Sequence, residues 1–266
     1  MKSIHRNSLV LIALLGGAWQ LAAQTVVTPS DNHGWTPLSW YWNGSSYVNT
    51  GVGTTAGITS TYPRSGLGSG EISINDNLNT EADFYMDFAS PRSLSSLSAV
   101  SYDWFRSSGS TTQAFVAPSY ALTLADGRYL IYEPYYNLPV PGTVPVDQWV
   151  SETNMLAGIW WFSGNGSGNC APANAYQSLG AFNTECYSGN AMVAGLDIFM
   201  GFAGAGTFHA AFDNVQYAFD GQGTTFNFEP DSRDGVVPEP ATMTLLATGL
   251  AGMAAGARQR KRSTKA

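Results

Sequence analysis

Residues 120–133, YALTL-ADG-RYLIYE, carry the strongest hairpin signal in the chain. Tyr120–Leu124 and Arg128–Glu133 are runs of β-forming residues, and Ala125-Asp126-Gly127 between them supplies the positive φ angles that a tight hairpin requires. Outward from this hairpin the same pattern repeats. Ala82–Phe88 and Leu97–Arg106 read as strands, the second alternating Val100, Tyr102 and Trp104 against Ser101, Asp103 and Phe105. Gln148–Thr153, Ile159–Phe162, Val193–Phe202, Phe208–Phe219 and Thr224–Phe228 continue the series. Gly44–Gly57, Ser65–Gly70 and Ser163–Gly168 are rich in Gly, Ser and Thr and read as loops. About ten strands result, and no amphipathic helix covers them. Such a set closes most economically into an all-β, two-sheet antiparallel sandwich.

Both ends of the chain read as addresses. At the N-terminus, Lys2 and Arg6 precede the apolar Leu9–Leu15, and Ala22-Ala23 offers small residues for cleavage near Gln24, the pattern of a secretory signal peptide over residues 1–23. At the C-terminus, Val237-Pro238-Glu239-Pro240 is followed by an uncharged apolar stretch, 241–257, and then by Arg258, Arg260, Lys261 and Arg262. A helix over 241–257 spans about 25 Å, the short end of what crosses a bilayer core. The positive charge after it places the C-terminus in the cytoplasm and everything before Ala241 outside. Gly252 and Gly256 form a GxxxG pair, which suits either helix pairing or a weakly hydrophobic helix that unwinds for cleavage.

This tripartite tail, residues 237–262, resembles the PEP-CTERM sorting signal of Gram-negative bacteria. The resemblance implies that an exosortase recognises the tail, removes the helix after transient inner-membrane insertion, and passes the protein to the cell surface or the exopolysaccharide matrix. A permanent single-span anchor is the other reading of the same residues. Residues 230–236 read as a charged spacer between the folded domain and the signal.

Residues 24–229 are long enough for one sizeable sandwich. From Gln24 to Asp234 this part contains no lysine, and five basic against eighteen acidic residues give it a net charge near −13; the whole-chain value of −7 reflects basic residues in the two targeting segments. Such a surface repels nucleic-acid phosphates and anionic headgroups. Neutral glycans, cations and basic partners fit it. The only two cysteines, Cys170 and Cys186, both fall in the exported part, where an oxidising compartment favours one disulfide between them.

Motifs of catalysis are absent. The chain has no Gly-x-Ser-x-Gly elbow, no phosphate-binding loop and no His-Glu-x-x-His, and its exported part holds only His33 and His209. A non-enzymatic structural or adhesive protein is the expectation. Paired carboxylates could still converge from Glu71, Asp103, Glu133 or Glu152, which would serve a glycan hydrolase. Asn75-Asp76-Asn77 offers oxygen ligands for a structural calcium, and turn formation explains the same residues; no cofactor is expected. Phe208–Val215 resembles the closing strands of concanavalin-A-like or galactose-binding-like jelly rolls, and Asp213 and Asn214 within it suit either a ligand or local backbone hydrogen bonds.

Aromatic residues point to a ligand. Trp35, Trp40, Tyr41 and Trp42 cluster near the mature N-terminus, Tyr132, Tyr135 and Tyr136 follow the hairpin, and Trp160 and Trp161 are adjacent. Neighbouring strand residues face opposite sides, so one of Trp160 and Trp161 faces away from the core. An outward ring suits stacking on a sugar, which makes a carbohydrate-binding module the alternative to the structural role.

Overall fold

The computed structural model describes residues 23–49, 51, 53–75, 80–138, 142–163, 176–201 and 205–231. Within them run β1 (Ala23–Val27), β2 (Trp35–Trp42), β3 (Tyr47–Asn49), β4 (Thr54–Thr59), β5 (Ser69–Ile74), β6 (Thr80–Ser93) and β7 (Leu97–Arg106). Then follow β8 (Ser119–Leu124), β9 (Tyr129–Tyr132), α1 (Pro134–Asn137), β10 (Trp149–Glu152), β11 (Trp161–Ser163), α2 (Leu179–Tyr187), β12 (Met192–Gly201), β13 (Phe208–Phe219) and β14 (Gln222–Phe228).

The strands form two seven-stranded sheets packed as a sandwich. One sheet, in the order β11-β9-β8-β12-β6-β2-β3, is antiparallel throughout. The other is built around β13, with β7 and then β10 on one side; on its other side β5-β4 follows its first half and β14-β1 its second. The expected all-antiparallel pairing fails at one place, because β1 lies parallel to β14. An N-terminal strand arriving from outside the domain has no hairpin partner to dictate its direction.

Period-two alternation places the core. In the first sheet Phe84, Leu122, Leu130, Phe162, Leu196 and Ile198 point inward and meet Trp104, Phe212, Phe226 and Phe228 from the other sheet. Trp35 is fully buried against the edges of Phe226 and Phe228, each 5.4 Å away between ring centroids. Each of these large side chains contributes about 1.5–3 kcal/mol through its burial.

The hairpin at 120–133 forms as a three-residue loop. Gly127 N–H donates to Leu124 O at 2.9 Å, and Gly127 alone takes a positive φ, +81°, while Asp126 does not. The turn is thus a type I turn closed by a left-handed glycine, not the double positive-φ turn expected of Asp-Gly. The Asp126 carboxylate instead accepts from Arg128 Nε at 2.8 Å.

Two further expectations fail. Parts of the Gly/Ser/Thr-rich stretches are strands, since β3, β4 and the start of β5 occupy residues read as loop. Thr54–Thr59 pairs residue for residue with Ser69–Ile74, so backbone pairing overrides weak side-chain signal. Gly70 also has a packing reason, because a Cβ there would meet the Phe212 ring at 2.3 Å. The nine-residue α2 was not expected either. Its Ser178 hydroxyl accepts from Ala181 N–H, Leu179 and Phe182 are buried, and Ser188 ends it in the left-handed region. With only two large apolar anchors, its sequence pattern is too short to read as a helix.

Where β5 and β14 part along β13, Asp213 fills the fork. It is fully buried, and its two oxygens accept from Phe228 N–H at 3.0 Å and Ser65 N–H at 3.1 Å. Asn214 adopts φ +51° in the adjoining bulge and donates to Asp103 at 2.8 Å. Both residues, read as ligand groups or backbone partners, hold this loop and strand together. The domain also extends beyond 229: Asp231 accepts from Ser30 N–H at 3.1 Å and Ser30 Oγ at 2.6 Å.

Candidate functional site

The outer face of the β11-β9-β8-β12-β6-β2-β3 sheet carries an open cleft of about 1000 Å³. Its floor follows from strand parity. On β6, Ala82, Phe84 and Met86 turn to the core, which sends Glu81, Asp83, Tyr85 and Asp87 into the cleft. On β12, Leu196 and Ile198 turn inward and Asp197 and Phe199 outward. The register pairs Asp83 with Phe199 and Tyr85 with Asp197, so the two aspartates are diagonal neighbours.

The floor is electrostatically crowded. Burial pushes the Asp83 carboxyl up to about 7, with Glu81 adding repulsion and a 2.9 Å hydrogen bond from Trp40 Nε1 working against the shift. Burial raises Asp197 well above the carboxylate range, with Asp83 and Glu81 adding to it, and burial also raises Glu81. Among the described residues no donor reaches Asp83 Oδ1 or Asp197 Oδ1. Two like charges that close cannot both ionise, so the pair retains a proton near neutral pH.

Aromatic rings form the walls. Trp161 on β11 stands on the cleft side, beside Glu133, whose carboxyl is raised by burial and lowered by the approach of the Trp161 indole N–H. At the other side lie Trp40 and Tyr47. Tyr135 and Tyr136 on α1 close the rim, where Tyr135 packs against Phe115 at 4.8 Å and Tyr136 against Tyr176 at 4.3 Å. Phe115 belongs to the 107–118 connection, which buried Arg106 holds through the carbonyls of Thr112, Gln113 and Val116.

Several residues singled out in the sequence lie elsewhere. Trp160 is fully buried; its Nε1 donates to Met155 O at 2.9 Å and its ring meets Tyr132, so it is a core residue and not a ligand contact. Of the four candidate carboxylates only Glu133 reaches the cleft. Glu152 accepts from Trp104 Nε1 at 3.0 Å and Tyr132 OH at 2.8 Å, Asp103 pairs with Arg64 at 2.9 Å, and Glu71 holds the backbone of Thr61 and Tyr62. The acids that gather are Glu81, Asp83 and Asp197, none of which carries a recognisable motif. For Glu81 and Asp83 the signal is their alternation with Ala82, Phe84 and Met86; Asp197 lies on a different strand and joins them through pairing.

Among the described residues no three His, Cys, Asp or Glu side chains are placed to hold a metal ion. Asp76 and Asn77 of the calcium candidate lie outside those residues, as do Cys170, the signal peptide up to residue 22 and everything from 232 onward. Cys186 sits in α2. Among the described residues no helix is long and apolar enough to cross a membrane.

The tail decides the address. Residues 236–261 match the PEP-CTERM protein-sorting motif. This sorting motif marks the chain for export, processing by an exosortase at the membrane and display at the surface. No curated protein matches the chain. Among solved structures, the family 11 carbohydrate-binding module of a cellulosomal cellulase from Clostridium thermocellum is 10% identical over 70% of this chain and 88% of its own, with a TM-score of 0.38. A further carbohydrate-binding module of the β-sandwich superfamily is 11% identical over 70% of this chain and 57% of its own, at 0.34. A thermostable cellulase derived from that of Rhodothermus marinus is 17% identical over 69% of this chain and all of its own, at 0.31.

Proposed function

We propose that this is an exported surface protein whose single sandwich domain binds glycan in the cleft and so attaches the cell surface to polysaccharide. The observation that carries the reading is the cleft itself: flat rings of Trp161, Trp40 and the tyrosines rise beside a floor of hydrogen-bond acceptors. Sugar rings present apolar C–H faces to aromatic planes and hydroxyl donors to carboxyl oxygens, so this pairing of surfaces suits a carbohydrate chain. The adhesive role and the binding role are then one, with the cleft supplying the adhesion.

An oligosaccharide array probed with protein extracted from the host surface tests the reading. Trp161→Ala removes one stacking ring without opening the core, and affinity is expected to fall about tenfold or more, about 1.4 kcal/mol, with Tm little changed. Unaltered binding by this variant, or no binding to any glycan, sinks the proposal.

Processing at both ends belongs to the same proposal. Intact mass of surface-extracted protein is expected to show the loss of residues 1–23 and of the segment from Ala241 onward, and a mass lower by two hydrogens than the dithiol form if Cys170 and Cys186 are joined. Recovery of the basic tail at Arg258–Arg262 would reduce the signal to a plain anchor.

A further inference from the structure

Five carboxyl groups line the cleft: Glu81, Asp83 and Asp87 on β6, Glu133 after β9, and Asp197 on β12. Among the described residues no lysine, arginine or histidine lines it. With no cationic side chain beside them, these acids lower their mutual repulsion only by holding protons. Asp83 and Asp197 are only 5% and 7% exposed, and each keeps one oxygen that no donor among the described residues reaches. Buried acceptors without partners are costly, and a ligand able to satisfy them gains accordingly.

We propose that the cleft selects an amine-bearing glycan, an oligosaccharide of unacetylated amino sugars, with a ring stacked on Trp161 or Trp40 and an ammonium group held at the diagonal pair Asp83 and Asp197, beside Glu81. The inference rests on the glycan-binding reading above and narrows it. An ammonium group brings one positive charge and three donors to acids that have no cationic side chain beside them. A neutral sugar satisfies those acceptors with hydroxyls and leaves the charge uncompensated. An anionic sugar adds to the repulsion. A bare divalent cation leaves the aromatic walls unused, and among the described residues no three acidic side chains are placed to coordinate it.

Protons provide an independent handle. In the empty cleft the crowded carboxyls relieve repulsion by retaining protons; a bound ammonium takes over that task, and the displaced protons pass to the buffer. Binding of an amine-bearing glycan that enters already protonated, at pH about 6, therefore releases protons, and binding of a neutral glycan does not.

Calorimetric titration of surface-extracted protein with glucosamine tetramer, its fully N-acetylated counterpart and a glucose tetramer, at about 0.15 M salt and in two buffers of different ionisation enthalpy, tests this. The amine tetramer is expected to bind at least about tenfold more tightly than either neutral one and with proton release. Asp83→Asn, and separately Glu81→Gln, should bring its affinity down towards the neutral value, while Trp161→Ala weakens every tetramer that binds. Circular dichroism confirms that each variant is folded. Equal or weaker binding of the amine tetramer, or tight binding without proton release, overturns the inference and leaves the glycan-binding reading standing. Amine binding that survives both Asp83→Asn and Trp161→Ala is adsorption to the acidic surface and overturns it equally. If no tetramer binds, the inference falls, and the oligosaccharide array decides the glycan-binding reading separately.

Discussion

Raising the pH from about 5 to about 8 is expected to destabilise this protein, and Asp83→Asn is expected to remove one share of that loss, while the buried Asp213 carboxyl, also raised to about 7, keeps another. The native Asp83 carboxyl holds its proton up to about 7, whereas in the unfolded chain it releases it near 3.8. Between those values the native state binds more protons than the unfolded state, so stability falls as pH rises and levels off above the native value. Asp197, raised in the same direction, carries the decline further upward. At about 1.4 kcal/mol per unit, the part of the Asp83 shift that lies between pH 5 and about 7 is worth about 3 kcal/mol. An asparagine keeps an oxygen to accept from Trp40 Nε1 and places an N–H₂ donor where Asp197 lacks one. Thermal melts of both proteins at the two pH values provide the check. The variant should melt higher than the parent at pH 8 and no higher at pH 5; a pH-independent parent, or a variant weaker at both, would refute the account.

Arg106→Met is expected to destabilise the domain by about 3 kcal/mol and to loosen the cleft wall with it. The guanidinium is 2% exposed, lies 5.7 Å from the centroid of the Phe208 ring, and donates to the carbonyls of Thr112, Gln113 and Val116. Burial lowers its pKa, and among the described residues no carboxylate pairs with it. The charge is thus held by three backbone acceptors that all belong to the connection carrying Phe115. Methionine fills the volume and donates nothing, which leaves three carbonyls without their donor. Lysine restores charge without the planar fork and should recover only part of the stability. Melting temperature and glycan affinity are expected to fall together in Arg106→Met, by about 6–12 °C for the former. A variant that melts like the parent would show that the connection is held by its own packing.

Much of the layered architecture is legible in local pattern. Leu97–Arg106 and Phe208–Phe219 are strands with the very bounds that alternation and composition assign, because a strand half-buried in a sandwich advertises its two faces every second residue. The edge strands β3 and β4 escape notice for the converse reason. Their Gly, Thr and Asn residues signal little in sequence, and they are strands because a neighbour offers hydrogen bonds, even though Ala56 and Ile58 of β4 pack against the core. Short α2 escapes because its cap and its two anchors are individually weak signals.

The candidate site is less legible. Adjacent tryptophans at 160 and 161 must face opposite ways, and that much is one-dimensional. Which of them enters the core depends on β11 pairing with β9, where Trp161 sits opposite Ile131 and both look into the cleft. Asp83 and Asp197 become neighbours only because β6 and β12 pair in one register; a slip of one strand by one residue would turn its acid into the core and leave the other on the cleft side.

By itself the sequence determined where this protein goes and what it is made of: the sorting motif at 236–261, the acidic lysine-free domain, and the alternation that demands two sheets. Those properties are read by binding partners and by solvent along a linear chain, so spacing and composition suffice. The cleft was decided by tertiary structure alone. Its floor, walls and rim come from strands, α1 and a connection far apart in sequence, and strand order and register, set by the burial of the opposite face, bring their outward side chains together.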